Sequence, residues 1–179
     1  YWKQFDKHGA FQNPYTYGHF DHIPHQDFRG GHVTVGGIVY QGDAFPPAFR
    51  GKYLAADLLG HAVYWHHLEP LGSSFRSRHG GDLLRANDTW FAPSDVTMGP
   101  DGFVYVADWH DRRTAHPDPD AEWDRSNGRI YRIAWAGTKP YTGGDLSKLP
   151  REKLLALLSS PDGWLVRKAR RILADRRDP

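Results

Sequence analysis

Cysteine is absent from this chain of 179 residues. Without thiols the sequence has no means of forming a disulfide framework, a zinc–thiolate centre, a thiol nucleophile or a covalent c-type haem attachment. Apolar runs of membrane-spanning length are also missing. The glycine pairs at 30–31 and 36–37 are not followed by a helix start, which excludes a phosphate-binding loop and favours strand ends and bulges.

The composition is that of a folded, weakly charged protein. Hydrophobic residues make up 39% and aromatic residues 14%, which is enough for a packed core. The formal net charge is +2, with the basic surplus concentrated between Lys148 and Arg177. This surplus has no interleaved aromatic residues, so it predicts a solvated helix face and no nucleic-acid partner.

A turn and a strand organise the centre of the chain. Pro100-Asp101-Gly102 has the residues of a tight hairpin turn, since Pro presets its φ, Asp can bond its own backbone and Gly accepts positive φ. Residues 103–107 are aromatic and β-branched and predict a strand that ends at Asp108. That strand delivers the residues after Asp108 to a sheet edge.

The same pattern occurs once earlier, which indicates a repeat. Asp57 ends a similar strand 51 residues before Asp108, and Val63 begins the next strand 67 residues before Ile130, so the second copy carries an insertion of sixteen residues. Repeats of several short strands at about 50 residues are typical of propeller blades. We therefore predict a mainly β fold, part of a β-propeller with about two blades.

Helix-forming residues replace strand-forming ones from Asp145 onward. Residues 150–158 and 164–175 each carry an apolar face and are separated by a Ser-Ser-Pro-Asp-Gly break, which predicts a HEAT-like α-helical hairpin. We assign 1–144 to the propeller and 145–179 to the start of a helical repeat region. Because about 4 to 8 blades close a ring and the chain lacks an initial Met, we expect it to be a piece of a longer protein.

The insertion after Asp108 holds the densest cluster of reactive side chains. His110 with Asp111 is the candidate general base, because a carboxylate can orient an imidazole; Asp108, matched by Asp57, is expected to bond turn amides instead. Arginines and a histidine are candidates to hold an anionic cofactor or substrate. These are Arg112, Arg113, Arg125 and His116.

Two further groups complete the candidate site. Carboxylates at alternate positions suit Ca²⁺, although the glycine of an EF-hand loop is missing. The alternative is that carboxylates form ion pairs with neighbouring arginines. The predicted calcium ligands are Asp118, Asp120, Glu122 and Asp124. Residues beside the inner strands are expected to line a channel that takes the substrate. These are His32, Asp88, Trp90 and Asp95.

Three ordered runs carry a resemblance to a known family. They are GGHVT with YQGD and FRGKY between 30 and 53, NDTWFAPSD at 87–95, and DWHD with WDRSNGRIY between 108 and 131. In these runs the chain resembles a family of exported bacterial membrane-bound dehydrogenase-like proteins, whose propeller is similar to quinoprotein glucose and sorbosone dehydrogenases. HEAT-like repeats follow the propeller in that family, often with an electron-accepting cytochrome c domain.

The resemblance implies an oxidoreductase in a periplasmic or secreted location that oxidises a small-molecule sugar or alcohol. It implies pyrroloquinoline quinone (PQQ) as hydride acceptor, a histidine base and calcium as a second cofactor. It also implies that the rest of the propeller lies elsewhere in the parent protein. The alternative is a non-catalytic propeller and HEAT scaffold that binds carbohydrate or a protein partner through Trp90, Trp109 and Trp123.

Overall fold

The structure is a computed structural model that describes residues 34–111, 126–138 and 142–177. Seven strands precede two helices. The strands are β1 (Thr34–Val39), β2 (Tyr53–Asp57), β3 (Ala62–Leu71), β4 (Ser74–Arg85), β5 (Pro93–Met98), β6 (Val104–Asp108) and β7 (Arg129–Ile133). The helices are α1 (Arg151–Leu157) and α2 (Gly163–Arg176), and short 3₁₀ turns lie at Pro47–Phe49 and Leu146–Lys148.

The strands form two antiparallel sheets in sequence order. Sheet A has the order β1-β2-β3-β4, and sheet B has the order β5-β6-β7. β4 lies at the edge of sheet A. A mainly β fold with a carboxyl-terminal helical part is therefore confirmed.

The predicted hairpin joins β5 to β6. Gly102 donates its amide to the Gly99 carbonyl at 3.1 Å, and Asp101 Oδ1 accepts from the Phe103 amide at 3.1 Å. Gly102 has a φ of +72°, which the missing Cβ makes accessible. Asp101 and Gly102 thus have the roles that their chemistry predicted.

The strand pairing reproduces the internal repeat. Asp57 lies opposite Ala62 in sheet A, and Asp108 lies opposite Arg129 in sheet B. The first strand of each sheet is also irregular near the same end, β1 between Val35 and Gly37 and β5 after Pro93. The predicted alignment of the two copies is correct, and the extra residues fall between β6 and β7.

The two sheets share one hydrophobic core and meet through their first strands. β1 contacts β5, and a Cβ placed on Gly36 would lie only 2.6 Å from the Val96 amide nitrogen. The core between them is built from both sheets and their connections. Its buried members are Tyr40, Ala44, Phe45, Leu54, Ala56, Val63, Phe91, Val96, Met98, Phe103, Val104 and Val106.

The helices pack on each other through a small second core. Leu154 of α1 is buried against Ala169 and Ile172 of α2, as the apolar spacing predicts. The sequence pattern places Leu155 and Leu158 on the same apolar face, but the structure leaves both side chains exposed. Since α1 is only seven residues long, one stripe of it can face α2.

The helical pair is attached to sheet A at the start of α2. Arg50 donates to the Pro161 carbonyl, Arg167 donates to Gln41 Oε1 at 3.3 Å, and Trp164 packs against the shared core. Asp162 caps α2 by accepting from the Trp164 amide at 2.7 Å. Within the ranges that the structure describes, no helix has the length and apolarity needed to cross a membrane.

Candidate functional site

The end of β6 is organised by the buried carboxylate of Asp108. Its Oδ1 accepts from the Ala92 amide at 2.9 Å and from the His110 amide at 2.8 Å. Just beyond the strand end, the Trp109 amide donates to the Ala92 carbonyl at 2.8 Å. One carboxylate oxygen therefore holds the turn on which His110 is presented.

His110 is buried and its ring position is restrained from two sides. Its φ of +53° is left-handed, which is uncommon for a residue with a Cβ. The ring of Trp90 stacks on the imidazole, with centroids 5.7 Å apart and planes inclined by 29°. Across the sheet, Arg129 Nη1 lies 2.8 Å from His110 Nδ1.

This contact determines the tautomer of His110. A guanidinium is always charged and can only donate, so Nδ1 must accept and the neutral ring carries its proton on Nε2. Asp108 Oδ2 lies 3.6 Å from the same Nδ1 and 4.0 Å from Arg129 Nη1. That oxygen is buried, and no described residue forms a hydrogen bond with it.

A tryptophan with a restrained orientation lies beside the cluster formed by Asp108, His110 and Arg129. The Trp109 side chain is 61% exposed, and its Nε1 donates to Asp111 Oδ2 at 3.2 Å. Asp111 itself is buried. An exposed indole with a restrained orientation offers a flat apolar surface to an incoming ligand.

Comparison with sheet A separates structural from functional residues. Asp57 is buried at the equivalent strand end, and its Oδ1 accepts from the Gly60 amide at 3.0 Å. Binding turn amides is thus common to Asp57 and Asp108, as predicted. The pairing of His110 with Arg129 has no equivalent at Ala62, the residue opposite Asp57.

The predicted channel residues fall in different surroundings. Trp90 joins the cluster by stacking on His110. Asp88 is exposed and accepts from the Trp90 amide at 2.9 Å. Asp95 is also exposed, accepts from the adjacent Val96 amide at 2.8 Å and lies against Gly36 of β1.

The remaining predicted site residues lie outside the described residues, and their roles stay predictions. They are His32, Arg112, Arg113, His116, Asp118, Asp120, Glu122, Asp124 and Arg125. Among the residues that are described, no group of three or more potential ligands is placed to hold a metal ion. The calcium prediction therefore depends on the segment 118–124.

Arg129 is the functional candidate that the sequence interpretation missed. The sequence predicts binding roles for the arginines next to His110 in the chain, whereas Arg129 contacts His110 through the pairing of β6 with β7. The repeat contained the signal, because aligning Val63 with Ile130 places Arg129 at the position of Ala62, opposite the strand-end aspartate.

Sheet A contains a separate cluster of aromatic rings and buried histidine. His66 lies 5.6 Å from His79 and 6.4 Å from Tyr64 between ring centroids. Burial, with a smaller contribution from the neighbouring His79, lowers the pKa of His66 to about 4. The ring is therefore neutral near pH 7 and belongs to the packing of the sheet.

A cleft on the described surface lies away from His110. Its volume is about 690 Å³, and its walls include Asp43, Phe45, Asp101, Trp135 and Asp162. None of Asp108, His110 and Arg129 lines it. The reactive cluster and this cleft are thus separate features of the surface.

Fold and site together define a class: a mainly β protein whose repeated sheets present a buried aspartate, a histidine and an arginine at one strand end. The chain belongs to the family described as a domain of unknown function, DUF7133, whose model matches residues 7–137. That range contains both sheets and the cluster. No curated protein and no solved structure matches the chain.

Proposed function

We propose that sheets A and B are two neighbouring blades of a β-propeller. Their equivalent registers, their contact through the first strands and their shared core support this arrangement. In propellers the first strand of each blade lies nearest the axis, so neighbouring blades approach most closely there. The helical pair then begins a HEAT-like repeat region.

The function we propose for this propeller is that of an exported quinoprotein-type dehydrogenase acting on a sugar or an alcohol. The observation that carries it is the placement of His110, Arg129 and Asp108 at one strand end. Dehydrogenation of an alcohol requires a proton acceptor, and an anionic cofactor requires a cation beside it. The family resemblance of the three sequence runs points to the same chemistry.

The residues of the cluster fit one part of a bound PQQ. This cofactor carries carboxylates, and the half-exposed guanidinium of Arg129 suits bidentate binding of one of them. When bound, the quinone supplies the acceptor for the hydride from the substrate carbon. Calcium would require the carboxylates of residues 118–124, which the described cluster does not replace.

The chain's own side chains then have distinct tasks. His110 Nε2 would receive the hydroxyl proton of the substrate, which requires that this nitrogen be unprotonated. Asp108 holds the turn beneath it through Oδ1. Trp109 would cover an apolar face of a sugar ring and limit the access of water.

Calorimetric titration of the protein with PQQ, with and without Ca²⁺, tests this proposal. We expect calcium-dependent binding and reduction of an electron-accepting dye by a sugar or alcohol. Arg129→Met should weaken PQQ binding about tenfold or more, corresponding to loss of a charge-assisted contact of about 1.5–3 kcal/mol. Arg132→Met, on the same strand, is the matched control and should leave binding unchanged.

Absence of heat under both conditions would overturn the quinoprotein proposal. A carbohydrate-binding scaffold is then the second candidate, and the exposed but restrained indole of Trp109 favours it. In that case soluble oligosaccharides should quench tryptophan fluorescence without any dye reduction. Trp109→Ala should abolish the quenching, whereas Trp135→Ala, another exposed tryptophan, should retain it.

A further inference from the structure

We propose that Arg129 is a binding residue for a carboxylate, and that its engagement switches the tautomer of His110 so that Nε2 becomes a proton acceptor. The inference deepens the proposed function, since it concerns the same site and rests on it for its biological meaning. Its physical content requires neither quinone nor sugar.

The first observation is a shortage of donors inside the cluster. Arg129 Nη1 is within hydrogen-bond distance of His110 Nδ1, at 2.8 Å, but 4.0 Å from Asp108 Oδ2. Nδ1 and Oδ2 therefore face each other at 3.6 Å as two acceptors with one donor between them. The buried oxygen is left without a hydrogen bond from any residue in the described ranges, which is unfavourable for a buried acceptor.

The second observation is that the imidazole is held while the arginine is accessible. The His110 backbone is bonded to Asp108 Oδ1 and its ring stacks on Trp90. The Arg129 side chain is 43% exposed. An incoming carboxylate can therefore draw the guanidinium away into a bidentate pair without displacing the ring.

Removal of the guanidinium leaves Nδ1 facing the buried carboxylate. The ring then lowers its energy by carrying its proton on Nδ1 and donating it to Asp108 Oδ2, which requires the 3.6 Å separation to shorten by about half an ångström. In this exchange Nε2 releases its proton to solvent and Nδ1 takes one from solvent. The net charge of the ring is unchanged, and the lone pair of Nε2 becomes available as a base.

Nitrogen NMR of the histidine rings tests the switch directly, because protonated and unprotonated ring nitrogens have well-separated chemical shifts. The full chain is measured at pH 8, where an unperturbed imidazole is neutral, with sodium malonate as the carboxylate probe and sodium chloride at equal ionic strength as its control. We expect His110 to change from mainly the Nε2–H form to mainly the Nδ1–H form with malonate alone. Arg129→Met should show the Nδ1–H form without any malonate.

His61 supplies an internal control in the same spectra. It also has a left-handed backbone, and its Nδ1 lies 2.6 Å from the Phe91 carbonyl, so it must be the Nδ1–H form under every condition. Arg132→Met should behave as the unsubstituted chain.

Three results would overturn the proposal: an Nδ1–H form of His110 in chloride, an Nε2–H form in Arg129→Met, or no response of the unsubstituted chain to malonate. A tautomer switch together with no PQQ binding would leave the switch standing and reject only the dehydrogenase proposal. PQQ binding with a fixed Nε2–H tautomer would reject the switch and the assignment of His110 as the base, and would leave only the binding of the cofactor standing.

Discussion

At the scale of single residues, His66 makes the stability of sheet A depend on pH. Its imidazole is fully buried, and its pKa is lowered from 6.5 to about 4, mainly by burial and further by His79. Between these values the unfolded chain binds a proton that the folded chain does not. Folding is therefore stabilised above about pH 6.5 and loses this contribution as the pH falls towards 4.

We predict that replacing this ring with an apolar one removes that dependence. From pH 6.5 to pH 4 the free energy of unfolding should fall by up to about 3 kcal/mol through His66 alone, at 1.36 kcal/mol for each pKa unit. His66→Phe keeps an aromatic ring beside Tyr64 and cannot be charged. Urea unfolding at several pH values should show a clearly smaller loss for His66→Phe, and equal losses in both proteins would contradict the assignment.

At the scale of secondary-structure elements, two adjacent leucines of α1 differ in their contribution. Leu154 is fully buried in the small core between the helices, whereas Leu155 is 43% exposed. Truncating a buried leucine removes its transfer free energy and leaves a cavity, which costs about 2–5 kcal/mol. The same truncation on the surface has little effect.

We accordingly expect Leu154→Ala to destabilise the helical pair by about 2–4 kcal/mol and Leu155→Ala by less than about 1 kcal/mol. Both variants change the same atoms on the same short helix, so helix propensity cancels from the comparison. Amide hydrogen exchange within α1 and α2 measures the difference. Similar protection in the two variants would show that α1 does not pack through Leu154.

The elements themselves were largely predictable from local sequence. Local chemistry defines the strands, through runs of β-branched residues and through turn residues such as Pro100-Asp101-Gly102. The internal repeat then indicated which strands pair with each other. The cluster was less predictable, because His110 meets Arg129 only through the register of β6 with β7 across a long insertion. The burial of one α1 leucine and not its neighbour likewise depends on where α2 lies.

At the scale of the whole molecule, the two sheets approach each other closely where β1 contacts β5. Gly36, with a φ of +61°, leaves room there for the backbone of Asp95 and Val96. Because the core between the sheets is continuous, separating the sheets at this point exposes residues from both. The mutual position of the sheets should therefore be sensitive to one methyl group added at Gly36.

The last prediction compares Gly36→Ala with Gly72→Ala. Gly72, in the turn between β3 and β4, has nearly the same φ of +59° but nothing within 4 Å of an added Cβ, whereas at Gly36 that atom would lie 2.7 Å from Asp95 Cα. Both variants incur about 1–2 kcal/mol for a left-handed residue with a Cβ, and only Gly36→Ala must also force the sheets apart. We expect urea unfolding to show an additional loss of at least about 2 kcal/mol for Gly36→Ala. Equal losses would mean that the sheets are not packed through β1 and β5, and the proposal of neighbouring blades would lose its main structural support.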